Sequence, residues 1–503
     1  MFRKSILNSV ASFLSIMVNS LFSVVLGRLV IQYLGSDYNG VNATATQILT
    51  ILTLVEGGLT TASTVALFEP YITKNFQKIN DILTTTSKQL QKVAVQTFFI
   101  GVIIAIFYCS LIKSNLDTYI IFIVFILSIS STAFNLYYVN TYRLVFQVDQ
   151  REYYVNFIIT ISNIIMQVVS MLVISYTQNI ILVRLVYFIF NIVTGLIIRY
   201  VTKRKYSFID VNQNYEPQLI TGTKDVIISK FTSVIYSSAS VLFLSVFVST
   251  ISTSIYVTYN NVVSIIKNCI YSVVNAPQNA IGQLWASGDK KKIIDIFNEY
   301  EYIVFLLSLC LFSITYIMII PFVNIYTRSI ADVNYIDYLL PILIIGILFL
   351  EIIHIPSGIV ILMSGDFKIS RNIQLITCIL LIIFDIVGAQ SFELYGLLFG
   401  TLFVNLILAL LEMLYVRKIK LQMNLSRYYK IYFPLLVIGF FICYIGSKII
   451  WSIKMDVFRF VLYGFITTIM IGVFFLIASL LINPYDTKRF FNRIKAKKSK
   501  YNI

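Results

Sequence analysis

The sequence predicts an all-α polytopic membrane protein of about 14 transmembrane helices, in two six-helix lobes with two appended helices. Three observations carry that prediction. Apolar residues make up 58% of the 503 residues and charged residues only 12%, about half the charged share of soluble domains. The apolar residues form runs of about 20, enough for a helix to cross a hydrocarbon core of roughly 30 Å. Thirty of the 39 Lys and Arg residues lie on one side of the pattern those runs define. A β-barrel would alternate in hydropathy over segments of about ten residues, and these runs do not.

Taken in order, the spans are 6–30, 41–67, 91–112, 117–145, 154–175, 178–200, 226–248, 252–285, 299–325, 335–364, 369–389, 391–416, 430–450 and 457–482. The first follows Arg3 and Lys4; it is too long for a signal-peptide core and has no convincing cleavage site, so it stays as a membrane helix. Spans 1 and 2 are joined by the turn 34–40, rich in Gly and Ser, and spans 7 and 8 by the Ser/Thr turn 248–254. Segment 70–90 reads as an amphipathic helix on the cytoplasmic surface, and 288–297 as its twin after span 8. Each follows the second span of a lobe, which supports an internal repeat of the kind common in secondary transporters. The lobes are expected at 1–200 and 226–416, joined by a polar, basic linker at 201–225; spans 13 and 14 occupy 430–482 and a basic tail 483–503.

An even number of spans puts both termini on one face. The loops of that face hold the thirty cations, among them Lys74, Lys203 to Lys205 with Arg204, Lys290 to Lys292 and the cluster from Arg417 to Lys430. The opposite loops hold only Arg28, Lys113, Arg328, Lys448, Lys454 and Arg459. Short-loop Lys/Arg bias sets orientation, so both termini are predicted to be cytoplasmic. The net charge of +16 is explained by the same rule, with anionic membrane lipids as its partner and no nucleic acid.

Three cations remain inside apolar spans: Arg184 in span 6, Lys230 in span 7 and Lys267 in span 8. Intramembrane charge is costly and marks a functional site by default. Arg28, near the outer end of span 1, joins them as a candidate. Arg28 and Lys230 are close enough to a helix end to snorkel to the interface, and a long side chain at Arg184 has the same escape. Lys267 lies too deep for that. If the four face one cavity, its ligand is an anion, because Arg and Lys are the natural partners of phosphate oxygens.

Among the in-span acids, Glu56 precedes Gly57-Gly58 and reads either as a gate or coupling acid or as an internal partner for Arg28 or Arg184. Glu351 and His354 stand three apart before Pro356, on one helical face, and are candidates for gating or ion coupling. A Glu-x-x-His pair ligates metal only with further ligands, so no metal site is expected. Asp385 and Glu412 lie near span ends and are expected at the interface. The five cysteines all fall inside spans without a CxxC spacing. No cofactor is implied, and without a GxxxxGK[ST] loop no ATP-driven transport is expected.

Four segments carry a resemblance. They are Arg28…Leu34-Gly35…Tyr38-Asn39-Gly40 with Glu56-Gly57-Gly58; Tyr142-Arg143…Asp149-Gln150-Arg151-Glu152-Tyr153; Gly282-Gln283-Leu284…Asp289-Lys290; and Gly365-Asp366-Phe367-Lys368 with Gly396…Gly400-Thr401. In that order the chain resembles the Wzx-type polysaccharide-unit flippases of the multidrug/oligosaccharidyl-lipid/polysaccharide exporter superfamily. Gln147 and Val148 depart from the family's usual pair. The resemblance implies two lobes around a cationic cavity, in the bacterial plasma membrane. It also implies movement of an undecaprenyl-diphosphate-linked oligosaccharide to the outer leaflet for capsule or surface polysaccharide, with a polysaccharide polymerase as a partner. Tyr137, Asn140, Tyr256, Tyr259, Asn260, Asn261, Asn268 and Asn275 are then sugar-contact candidates, with helix–helix hydrogen bonding as the competing role. Three other functions compete: a drug/cation antiporter, which needs an anionic cavity; a membrane polysaccharide polymerase, an enzyme whose large outer loop this chain lacks; and the related lipid II flippase, whose chemistry is nearly the same and which the sequence does not separate.

Overall fold

A computed structural model describes residues 2–489, except 150, 221–222, 275–276, 278–280, 282–283, 286–288 and 331, and without the side chains of 2–14, 16–17, 54–55, 57, 65, 223–230, 233 and 272–273. The described residues form helices and the turns between them, with no strand. In chain order the helices are α1 (Phe2–Leu34), α2 (Ser36–Leu52), α3 (Leu54–Ile72), α4 (Phe76–Leu111), α5 (Thr118–Tyr138), α6 (Asn140–Val148), α7 (Tyr153–Thr177), α8 (Ile180–Lys205) and α9 (Thr223–Phe243, ending in a wider turn at Leu244–Val248). They continue with α10 (Thr250–Val274), α11 (Lys290–Tyr326), α12 (Leu340–Ile353), α13 (Ile355–Met363), α14 (Phe367–Leu414), α15 (Phe433–Trp451) and α16 (Val457–Ile482).

The predicted spans all fall on helices, the eighth with part of its inner end outside the described residues. Nine described helical stretches are long and apolar enough to cross a membrane, and Val18–Leu34 and Val234–Val248 are shorter apolar helices. One of the nine, Phe367–Lys420, contains two spans meeting at Phe392 and Glu393, where φ at Glu393 is +52°. Gly388 and Gly396 face each other across that hairpin; a Cβ on either would lie within 2.3 Å of the other's carbonyl oxygen. Large side chains point outward along α15 and α16, including Phe440 at 70% and Met470 at 65% exposure. Such a surface suits hydrocarbon rather than water.

The chain forms two compact units, Met1–Ile255 with Ser329–Val333, and Tyr256–Arg328 with Asn334–Ile503. The cut lies within α10, well past the linker at 201–225. The reason is that α9 packs against α2 and α3 and so belongs to the first unit.

Segment 70–90 is not a separate surface helix. From Phe76 it is the start of α4, a 36-residue helix that runs unbroken into span 3. Asn75 caps it by accepting the Lys78 backbone N–H at 3.0 Å. The polar residues that suggest a water-facing side are buried beneath the linker, whose N–H groups need acceptors. Asn80 Oδ1 accepts from Asp210, Thr84 Oγ1 from Gln213, Asp81 Oδ1 from Asn214 and Thr85 Oγ1 from Glu216, all at 2.9–3.2 Å. The twin segment behaves likewise. Asp289 accepts the Lys292 N–H at 3.1 Å and starts the 37-residue α11. Asn75 and Asp289 thus make the same capping contact, each to the N–H three residues on, before helices of nearly equal length.

The motif turns have structural work. Gly35, at φ +91°, ends α1, and Asp37 then accepts from the Ser114 hydroxyl at 2.9 Å, the Asn115 N–H at 2.7 Å and the Thr250 hydroxyl. Gly40 lies against the Thr250 carbonyl, where a Cβ would approach to 1.9 Å. In the 142–153 turn, Glu152 binds Arg143 at 2.8 Å and Gln147 at 3.1 Å, while Asp149 binds Arg151 at 3.2 Å and the Tyr206 hydroxyl at 2.7 Å. Gln147, the departure from the family pattern, is therefore part of the same knot. Carboxylate and burial together push the Tyr206 phenol up, burial being the larger cause.

Candidate functional site

Arg184 is a buried in-span cation with no acid beside it among the described residues. It lies a little over one turn into α8, whose N-terminus is capped by Asn179 accepting from the Ile181 N–H at 2.9 Å. Its side chain is 8% exposed. One guanidinium nitrogen donates to the Asn42 side-chain oxygen and, at 3.4 Å, to the Asn42 carbonyl on α2; Nε has no partner. The Tyr187 ring lies 5.8 Å away. No acid among the described residues pairs with it. The positive end of the helix dipole adds to the same field, so the site favours an anion.

Arg28, half-buried on α1, has no hydrogen-bond or ion-pair partner among the described residues. Both arginines stand on helices that pack around one apolar cluster, built from Leu26, Val30, Val41, Ala45, Ile180 and Val183. Glu56 does not pair with either arginine, as one reading of the sequence expects. The Asn140 amide donates to it at 2.6 Å, because α6 packs on α3 at that level. Lys230 lies on α9, but its side chain is outside the described residues.

In the second unit Lys267 is compensated. Its ammonium lies 2.8 Å from Glu351 Oε2, and each side chain keeps about a fifth of its surface exposed, at 22% and 21%. Glu351 and His354 share a face, as their spacing predicts, but each has another principal partner. His354 Nδ1 lies 2.9 Å from Glu412 Oε2, and Gly358 leaves room for that carboxylate, which a Cβ would crowd at 3.0 Å. His354 also sits at the break between α12 and α13, two residues before Pro356, whose missing N–H ends the ladder there.

Asp385 and Glu412, expected at the interface, are instead enclosed by protein at 0% and 2% exposure. Thr401 donates to Asp385 at 2.8 Å. Distance from a helix end says nothing of which face a residue occupies, and these two face their own helical neighbours.

The sugar-contact candidates divide. Tyr259 is buried and donates to the Tyr335 carbonyl at 2.8 Å, Tyr256 is buried at 9% exposure, Asn140 is taken by Glu56, and Asn275 is outside the described residues. Tyr137 is half-buried against the Tyr138 ring. Asn261 and Asn268 are exposed and Asn260 half-exposed, all without a partner among the described residues. With Ser264 and Lys267 they form a polar stripe on α10 at helical spacing. Unpaired amides facing hydrocarbon would cost several kcal/mol each, so such a stripe suits contact with water better than contact with lipid.

Sequence reasoning misses Asn42 and misplaces Glu412 and Arg417. Arg417 counts in the sequence among the orienting cations, yet it is fully buried, bound to Glu301 and, at 2.9 Å, to the Tyr428 hydroxyl. Glu301, an acid just inside span 9, is the available signal. For Asn42 there is none beyond its place one helical turn past Asp37-Tyr38.

No family model matches the chain, and no curated protein matches it. Solved structures do. The lipid II flippase MurJ, in an inward closed conformation, is similar at a TM-score of 0.70 and 15% identity, over 95% of this chain and 98% of that one. An inward-facing multidrug resistance MATE family transporter of the MOP superfamily is similar at 0.66 and 12% identity, over 79% and 94%. A mutant of the Vibrio cholerae MATE transporter VcmN gives 0.55 and 12%, over 84% and 98%. At such identities the fold is what is shared: this chain has the many-helix membrane fold of these transporters.

Proposed function

We propose that this protein is a flippase that carries a polyprenyl-diphosphate-linked oligosaccharide from the inner to the outer leaflet of a bacterial plasma membrane, with both termini in the cytoplasm. The product would feed capsule or surface polysaccharide assembly, where a polysaccharide polymerase consumes it. The observation that carries the reading is Arg184, a buried guanidinium with no acid beside it among the described residues and a free Nε–H. A diphosphate supplies the missing charge in bidentate form. Arg28, on the helices around the same apolar cluster, is a further cation beside it; Lys267 and the α10 amides, in the second unit, are separate candidates for the phosphate and the saccharide, and the polyprenyl tail stays in lipid. Lys230 is retained from the sequence. The MurJ-like fold over nearly the whole chain supports the same class of cargo.

The drug/cation antiporter reading needs an accessible unpaired acid. Asp385 Oδ2 is unpaired, but its other oxygen is held by Thr401 and the side chain has no exposed surface, 0% against 8% at Arg184, so it is not offered to a ligand. Deleting the gene in a polysaccharide-producing host separates the two. The flippase reading expects a lipid-linked intermediate to accumulate on the cytoplasmic leaflet. Increased drug sensitivity without that intermediate would overturn it.

A further inference from the structure

Lys267 and Arg184 present different problems to an incoming diphosphate. Arg184 is unpaired and needs only to be reached. Lys267 already holds an anion, the Glu351 carboxylate at 2.8 Å. For Lys267 to bind phosphate, that carboxylate must leave and must not be left alone in a low-dielectric setting, which is strongly unfavourable.

The residue positioned to receive it is on the same helix face. His354 stands three residues on, at the break between α12 and α13, and lies within electrostatic reach of both Glu412 and Glu351. Among the described residues, the charged and titratable groups around this set are Lys267 and Tyr271 on α10, Glu351 and His354 on α12 and its end, and Glu412 on α14. Two acids, one lysine and one histidine balance only when the imidazole is protonated. With the imidazole protonated, the described arrangement gives one cation to each acid. Removing Lys267 to a diphosphate leaves two acids to share the imidazolium, whose two ring N–H groups can each serve one.

We propose that Glu351 is a resident counter-anion that occupies Lys267 until substrate diphosphate displaces it, and that His354 then receives the released carboxylate. The inference rests on the flippase reading and adds how its second cation is held. A diphosphate carries more negative charge than one carboxylate, so it wins the competition for Lys267. Glu351 in turn keeps Lys267 from retaining weaker anions. Because about a fifth of each partner's surface is open, a phosphate oxygen can approach before the pair separates.

Binding of geranylgeranyl diphosphate, with geranylgeraniol as the uncharged control, tests this on the purified full chain in nanodiscs. Glu351→Gln is expected to tighten diphosphate binding by about tenfold, the scale of one charge-assisted hydrogen bond, without changing binding of the alcohol. Lys267→Gln should abolish that gain, so that the double variant binds like Lys267→Gln alone. His354→Gln should weaken binding, because the released carboxylate loses its receiver. Glu351→Asp, which keeps the charge but draws it back from the lysine, should tighten binding less and guards against a misfolded amide variant. If the wild type does not prefer the diphosphate to the alcohol, the flippase reading fails and this inference with it. If it does, and neither Glu351 variant binds more tightly, or the gain persists without Lys267, the inference alone is overturned.

Discussion

Arg184 in the first unit and Lys267 in the second are equivalent signals in the sequence, cations stranded in apolar spans. The structure separates them. Arg184 meets a neutral amide and an aromatic ring, so its charge is uncompensated; Lys267 meets a carboxylate at 2.8 Å, so its charge is balanced at rest. A buried cation is thus not by itself an anion site. What matters is whether the sequence also places an acid opposite it, and only packing reveals that.

The largest effect expected from breaking this comparison is at Arg184. Arg184→Ala should reduce surface polysaccharide to background while the protein remains inserted, since it removes a charge and leaves behind only the neutral Asn42 amide. Arg184→Lys should recover part of it, because the charge returns without the fork. Surface polysaccharide scored against membrane abundance checks both. Lys267→Ala should behave differently, losing stability as well as transport, because Glu351 is left unpaired. The cost should be about 1–3 kcal/mol, below that of a fully buried pair because both partners are partly exposed. Lys267→Met with Glu351→Met should restore the thermal midpoint but not transport. Equal destabilisation by Arg184→Ala and Lys267→Ala would erase the distinction between the two sites.

A smaller effect is expected at Asn42. Asn42→Ala releases one hydrogen bond to Arg184, worth roughly 1–2 kcal/mol, and should lower transport several-fold without abolishing it. The smallest lies outside the spans, at Asp366. Burial raises its carboxyl pKa, but hydrogen bonds from Lys420, Ser364 and Tyr415 outweigh that and hold it below the usual range. Its contribution is therefore full above the ordinary Asp pKa of about 4 and is lost as pH falls through the lower folded value. Melting curves of wild type and Asp366→Asn from pH 7 to pH 3 should converge in acid, with transport near pH 7 little changed.

The spans are legible because apolar runs of bilayer length have few other interpretations. The break at His354 is legible from Pro356, and the turn at Gly35 from its glycine. What sequence does not give is partnership. Glu351 and His354 read as a pair because they share a helix face, but each is claimed by a residue more than fifty positions away, Lys267 and Glu412. The amphipathic pattern of 70–90 indicates a polar face correctly and its cover wrongly, since hydropathy does not distinguish water from a linker's N–H groups. The compact units divide within α10 rather than at the linker because α9 packs back on α2 and α3, a preference written in side-chain fit and not in loop polarity.

The central claim is that an uncompensated guanidinium selects a lipid diphosphate. Reconstitution into vesicles tests it most directly, by following a fluorescent polyprenyl-diphosphate saccharide and a lipophilic cationic dye in parallel. The account predicts that wild type moves the saccharide lipid and not the dye, and that Arg184→Ala moves neither. Transport of the dye with no movement of the saccharide lipid, or saccharide-lipid movement unchanged in Arg184→Ala, would contradict it.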